Sequence, residues 1–320
     1  MKKTGNNIIR KLLHNNPLHI VDIGASGGIH PRWNRFYPDY KGILFEPDKE
    51  ACDALNSKTS DNLIVINSAL SNKKGTKKLY CCKKQQVSSV YLPNLEILER
   101  YRKPERFKIL ETITIKTDTL DHRLTNDNIK EVDFIKIDVQ GHELPILEGG
   151  IKTLSSCIGL EIEVEFASLY KKQPLFKDVD AFVRDMGFEL VDVGRTYFKR
   201  NEVKKNRYQS KGEIAFGDAL YFRSPEQLIK KSGITQEKII RATCIYLAYG
   251  YPELAHVLLE LSVKEGKISK ENQKLITSAL SRFKIKSIYP DLSNKIYTYI
   301  IKLAGFFATN IKSKDKLGNL

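Results

Sequence analysis

The sequence predicts an α/β chain built on a doubly wound, mostly parallel sheet of the seven-stranded type, followed by a C-terminal helical appendage. Three observations carry this. Val21-Asp22-Ile23-Gly24-Ala25-Ser26-Gly27-Gly28 reads as a buried strand opening into a glycine-rich turn. Short apolar runs then alternate with helical periodicity as far as Phe222, as in a parallel sheet with helices on both faces. Beyond about Pro225 strand signals stop and helical periodicity takes over.

Residues 18–23 and 42–46 are the first two strands, and residues 48–56 form a helix leading to a third strand, 63–66. That strand runs into small and polar residues, Asn67-Ser68-Ala69-Leu70-Ser71. Residues 73–116 differ in character, with short alternating runs around a charged helix at 94–102. We read them as an insertion near the active site that exposes Ser88, Ser89, Arg100, Arg102, Lys103 and Arg106. The parallel pattern resumes with a strand at 132–137, followed by Asp138. A helix at 143–154 tolerates Pro145 in its first turn. A strand at 158–166, a helix at 178–186 and strands at 188–193 and 214–222 complete the sheet. The expected division is an N-terminal extension (1–17), an α/β domain (18–223) and a basic helical region (224–320).

The chain has 320 residues, 41% apolar and 28% charged, which is enough to bury a full core. A net charge of +15 favours anionic partners such as nucleic acid, acidic glycans or the cytoplasmic leaflet. The last region carries 16 Lys/Arg against 8 Asp/Glu. Cys52, Cys81, Cys82, Cys157 and Cys244 are scattered without C-x-x-C spacing, so neither a zinc site nor a disulfide framework is implied. A reducing compartment fits, and the N-terminus shows no apolar leader, so a cytoplasmic location is expected. Residues 296–311 are apolar but interrupted by Lys302 and too short to span a bilayer. Tyr297, Ile300, Ile301, Phe306 and Phe307 interleave with Lys295, Lys302 and Lys312 there. An interfacial helix touching the inner face of the membrane would look like this, and so would an amphipathic helix packed on the main domain.

The glycine turn indicates a nucleoside cofactor. Glu46 closes the second strand 22 residues past Gly24, where a carboxylate can accept hydrogen bonds from ribose hydroxyls. A pyrophosphate would call for G-x-G-x-x-G and a positive helix start. Asp22 would repel it but suits a cation, and S-adenosylmethionine carries both a sulfonium and an ammonium. Taken alone, the turn is equally a structural bend capped by Asp22; joined to Glu46 it favours the cofactor.

Asp138 and Glu143 lie at the carboxyl end of a central strand, in the crevice where such sheets bind ligands. Gly141 permits a bend that aims both at one volume, although Asp138 and Gln140 could also cap the following helix. Glu161, Glu163 and Glu165 alternate, so all three share one face of their strand. Three like charges there are costly unless they line a polar cavity, meet cations or sit on a solvated edge strand.

Together, Asp22 to Gly28, Phe45-Glu46-Pro47, Thr119-Leu120-Asp121, Phe134 to Glu143 and Leu169 to Phe176 resemble the FkbM family of methyltransferases over residues 18–223. The resemblance implies a Rossmann-like, S-adenosylmethionine-dependent fold that methylates hydroxyls of sugars or polyketides. It implies that Asp22 and the turn Gly24, Ala25, Ser26 and Gly28 hold the methionine part of the cofactor. Glu46 would hold the ribose, Ser68 and Ala69 would border the adenine, and Asp138 would face the methyl. The acidic strand end Glu163-Val164-Glu165-Phe166 also matches, whereas His142 occupies a position the motif leaves open and reads as a polar helix start.

The reaction expected is O-methylation of a sugar or glycan (surface polysaccharide or lipopolysaccharide) or of a related secondary metabolite. Asp138 or Glu163 would act as base, provided burial raises its pKa, with Glu143 beside them. Alternatively, Asp138, Glu143 and Glu163 could hold Mg²⁺; the metal-free route is preferred. The acceptor would be a glycan or small hydroxyl compound, anionic in keeping with the charge. A nucleic-acid methyltransferase is the competing reading, weakened by the lack of an Asn/Asp-Pro-Pro-aromatic motif at Asp138. A third is a cofactor-binding scaffold whose helical tail recruits a partner.

Overall fold

A computed structural model describes residue 8 and residues 10–57, 60–202 and 211–283. In chain order its strands are β1 (Leu18–Ile23), β2 (Tyr40–Phe45), β3 (Leu63–Ile66), β4 (Ala69–Leu70), β5 (Gly75–Cys82), β6 (Ile109–Asp118), β7 (Phe134–Ile137), β8 (Gly159–Glu165), β9 (Glu189–Phe198) and β10 (Glu213–Phe222). Seven of them form one sheet in the order β3-β2-β1-β7-β8-β10-β9, in which only β10 runs antiparallel to its neighbours. The expected α/β architecture is therefore present. The insertion supplies a second sheet, β4-β6-β5, with β5 and β6 as an antiparallel ribbon.

The helices are α1 (Lys49–Asn56), α2 (Leu95–Leu98), α3 (Leu120–Asn126), α4 (Glu143–Glu148), α5 (Ile151–Ser156), α6 (Phe176–Asp185), α7 (Pro225–Lys230), α8 (Gln236–Tyr249), α9 (Pro252–Lys264) and α10 (Lys270–Leu280). Alternation along the strands divides the sheet into two faces. Val21, Ile23, Ile135, Ile137, Leu160 and Ile162 pack against Leu120, Leu124, Ile146, Leu147, Val179 and Val183 of the crossover helices. On the other face Leu18, Ile20, Phe134, Leu220 and Phe222 pack against Trp33 and Phe36 of a 3-10 turn (Pro31–Phe36) and against α8.

Helix α8 is buried at every position from Ile239 to Tyr249. A helix buried on every side must be covered by more than one element, and α8 lies between the sheet and α9 within one core. The helical appendage thus completes one layer of the α/β sandwich. The continuous periodicity of residues 239–263 breaks at Gly250, left-handed at φ +81°, followed by Pro252 in the first turn of α9. A charged network ties α8 to the lower end of the sheet. Asp133, fully buried, accepts from Lys238 Nζ (2.7 Å), Arg241 Nε (3.0 Å) and the His19 amide (2.9 Å). Burial would raise its carboxyl, but these donors and cations hold it far below the ordinary carboxylate range.

Other expectations shift locally. The helix foreseen at 143–154 divides at Gly149, where a Cβ would stand 2.2 Å from the Ser71 carbonyl oxygen. The charged helix at 94–102 shrinks to α2. Among the described residues no helix is long and apolar enough to cross a membrane. The interleaved aromatic and basic segment at 296–311 lies outside the described residues.

Candidate active site

The cradle begins where β1 ends. Gly24 has φ +84°, and a Cβ there would fall 2.1 Å from the carbonyl oxygen of Asp138. Only glycine permits this contact between the turn and the end of β7. Backbone bonds hold the turn: Gly24 N and Ala25 N both donate to Phe45 O (3.0 and 3.3 Å), and Gly28 N donates to Ala25 O (2.7 Å). Asp138 N in turn donates to Ile23 O (3.0 Å). Ser26 and Gly27 are exposed beside this frame.

Glu46 is buried just past β2, accepting from Asp48 N at 3.0 Å. Burial raises its carboxyl above the usual range, against that bond. Asn67 Nδ2 donates to Glu46 O (2.9 Å) and Pro47 O (3.0 Å), which brings Ser68 and Ala69 beside Glu46. Asp48 caps α1 through Ala51 N (2.8 Å).

Asp22 does not cap the turn. It lies within β1 opposite Lys136, which lies opposite Glu161, forming a charged row across three strands. Burial pushes the Asp22 carboxyl up to about 7; Lys136 opposes this, and Asp138 and Glu161 add to it. Glu161 is taken up structurally by Arg32 Nη1 (2.9 Å) and the Tyr249 hydroxyl (2.5 Å), with the guanidinium 3.9 Å from the Tyr249 ring centroid.

The acidic centre stands at the ends of β7 and β8. Strand β8 is buried throughout between β7 and β10, so it is no solvated edge. Gln140 Nε2 donates to Asp138 Oδ1 (3.1 Å) and Glu163 Oε2 (2.5 Å), and Glu163 also hydrogen-bonds Asp138. Lys136 Nζ lies 3.4 Å from Asp138 Oδ2. The two acids are driven apart. Burial, Asp138 and Glu165 raise Glu163 well above its ordinary value. Burial would raise Asp138 too, but Lys136 and the bonds from Glu163 and Gln140 keep it low, so the rise expected of a buried base occurs at Glu163 and not at Asp138. A protonated Glu163 donating to an ionised Asp138 satisfies both. Asp138 is partly exposed and Glu163 is buried, so Asp138 is the more accessible of the two.

Glu143 does something different. Its Oε1 accepts from Val139 N (2.9 Å) and Gly141 N (3.2 Å), clamping the loop in which Gln140 and Gly141 are left-handed at φ +61° and +98°. Burial raises it to about 7 against these bonds. Neither Asp138 nor Gln140 caps α4, whose N-cap is His142 without a side-chain cap bond. His142 is buried, 3.1 Å from Ser71 Oγ through Nε2 and packed against Tyr91. Burial lowers its pKa to about 4. Ligand atoms of Glu143, Glu163 and Glu165 lie within 4.8 Å of one another, so Glu165 replaces Asp138 in the trio closest to a metal-binding arrangement.

The insertion closes over this loop. Ser89 Oγ donates to Gln140 O (2.7 Å), and the Tyr170 hydroxyl bonds Val87 O (2.9 Å) and Gln140 Oε1 (3.2 Å). Ser89, expected on the surface, is 2% exposed because this bond draws it inward. Sequence reasoning assigned no site role to Gln140, Lys136, Ser89 or Tyr170. A lysine in the middle of a four-residue buried strand was a usable signal; nothing local marked Ser89.

A family model described as the methyltransferase FkbM domain matches residues 22–190. The chain belongs to the FkbM methyltransferase family. The matched span runs from Asp22 through the acidic centre into β9. As a family member the protein is an S-adenosylmethionine-dependent methyltransferase, and the glycine cradle and buried Glu46 fit that cofactor. A search of curated proteins found no match. Solved structures with similarity include the fibrillarin pre-rRNA processing protein of Methanococcus jannaschii (13% identity, 65% of this chain, 67% of that chain, TM-score 0.35). Magnesium protoporphyrin IX methyltransferase from Synechocystis is 10% identical (69% and 79% covered, TM-score 0.32). A putative tRNA methyltransferase of Streptococcus pneumoniae is 11% identical (88% and 97% covered, TM-score 0.34).

Proposed function

We propose that this FkbM member methylates a hydroxyl oxygen of a sugar or glycan, such as surface polysaccharide or lipopolysaccharide, or of a related secondary metabolite. The observation that carries this reading is the partly exposed Asp138 at the end of β7, set beside Lys136 Nζ and joined to the buried Glu163 through Gln140. An alcohol becomes a good nucleophile only as its proton leaves, and Asp138 is the carboxylate placed to take it. Bound S-adenosylmethionine supplies an electrophilic methyl group on a cationic sulfur. Asp22, Gly24, Ala25, Ser26 and Gly28 would hold its methionine end, Glu46 its ribose, and Ser68 and Ala69 would border its adenine. Glu143 positions the loop, and the cap formed by Ser89 and Tyr170 limits water at Gln140.

The metal-free route is favoured because Glu143 spends Oε1 on two backbone amides and Glu163 shares a hydrogen bond with Asp138. Methyl transfer from ¹³C-methyl S-adenosylmethionine tests the reading, with glycans and RNA oligomers offered as acceptors. The expected product is a glycan carrying the label on a hydroxyl oxygen. Label on RNA, at a base or at a ribose 2′ oxygen, with none on glycans, would establish the nucleic-acid reading instead.

Asp22 gives a second test. A carboxyl raised by burial favours the protonated form, so the free protein loses stability as pH climbs from the ordinary carboxylate range through about 7. A cation bound beside Asp22 pulls the group back to its ionised form. Calorimetric titration with S-adenosylmethionine at pH ~6.5 in buffers of different ionisation heat should show release of up to about one proton. Asp22→Asn should abolish that release; equal heats in all buffers for the native chain would remove Asp22 from the cofactor site.

A further inference from the structure

The insertion carries twelve Lys/Arg against four Asp/Glu between residues 73 and 116, a net +8. Folding gathers part of this charge with cations from β9. Lys83 N donates to Lys108 O (2.8 Å), Lys84 N to Arg106 O (3.0 Å) and Arg102 N to Lys199 O (3.0 Å), which joins three separate stretches into one surface. Lys83, Lys84, Lys103, Lys108 and Lys199 are exposed, and none forms an ion pair among the described residues. Lys103 is held left-handed at φ +63°, a costly conformation for a residue with a side chain.

Arg106 is the centre of this surface. Its guanidinium lies over the rings of Phe198 (4.5 Å to the centroid) and Phe107 (5.0 Å). It is half-buried, its Nε is buried without a hydrogen-bond partner, and no carboxylate pairs with it among the described residues. Burial lowers its pKa, with Tyr170 and Glu105 offsetting only part of the effect. A partly desolvated guanidinium fixed on two rings and lacking a counter-ion is a preorganised receptor for a planar or tetrahedral oxyanion. Phe107 packs against Tyr170 (6.0 Å between centroids), whose hydroxyl reaches Gln140, so the receptor and the catalytic loop share one small core.

We propose that Arg106 and the surrounding lysines bind an anionic group, phosphate or carboxylate, on the acceptor whose hydroxyl is presented to Asp138. The substrate class is then a phosphorylated or uronic-acid-containing glycan. This rests on the O-methylation reading for its orientation only. RNA fits the surface less well, since stacking needs exposed rings, and here Phe107 and Tyr101 are buried and Phe198 lies beneath Arg106. A flat anionic bilayer would meet the lysines before the recessed guanidinium.

Isothermal titration of the full chain tests this without requiring turnover. The probes are glucose 6-phosphate and a trigalacturonate, with glucose and a neutral trisaccharide as controls. At least one anionic probe should bind at least tenfold more tightly than its neutral counterpart. Arg106→Gln should weaken that binding about tenfold or more, and the exposed double change Lys84→Glu with Lys108→Glu should do likewise, with S-adenosylmethionine affinity unchanged in both. The two arms separate phosphate from carboxylate. Equal binding of charged and neutral probes, native affinity in the variants, or binding confined to an RNA oligomer or phosphatidylserine vesicles would overturn the proposal. An anionic probe that binds through Arg106 while glycans as a class go unmethylated would leave the receptor standing and reject the O-methylation reading.

Discussion

Replacing Gly24 by alanine is expected to disable the protein by two routes at once. The new Cβ would sit 2.1 Å from the Asp138 carbonyl oxygen, and φ +84° is a strained conformation for alanine. Strain of this kind costs about 1–3 kcal/mol before the clash is counted. Relief must move either the cofactor turn or the end of β7, and Asp138 N is itself bonded to Ile23 O. We expect a fall in thermal stability and a loss of S-adenosylmethionine affinity of about a hundredfold or more, since ~2.7 kcal/mol corresponds to two decades. Gly27→Ala is the matched control for stability: nothing lies within 4 Å of its Cβ position and its φ is not positive. Circular dichroism melts and titration calorimetry read both variants. Native affinity and melting in Gly24→Ala would show that the turn does not form this contact.

The sheet was legible because local pattern decides it. Alternating apolar runs place β1, β2, β3, β7 and β8 within a few residues of their observed bounds, and the glycine turn stands where a close approach requires it. Asp138, Glu143 and Glu163 were legible as an acidic group, yet their division of labour was not. That division depends on folded geometry that spacing does not reveal: Gln140, two residues from Asp138, also reaches Glu163 on the next strand, and Lys136 points its Nζ at Asp138. Glu143 resembles a catalytic acid in the sequence and proves to be the clamp of a left-handed loop. The division of the helix at Gly149 follows from the carbonyl of Ser71, more than seventy residues earlier. Residues 239–263 and the stretch from 271 were recognisable as helical within the described residues, but periodicity could not show that α8 is buried on all sides. Ser89 carried no signal, because its bond to Gln140 O exists only once the insertion has folded back.

Proton removal falls to Asp138 in the proposed reaction, and one measurement addresses this most directly. Single-turnover methyl transfer to an accepted glycan, with cofactor and acceptor saturating, should be about 10²–10⁴-fold slower in Asp138→Asn than in the native chain. The amide keeps the size of the side chain and its place near Gln140 and Lys136, so the melting temperature serves as the check on folding. Saturation separates the chemical step from any weakening of cofactor binding. A rate within a few-fold of native, in a folded Asp138→Asn variant loaded with both substrates, would contradict the account.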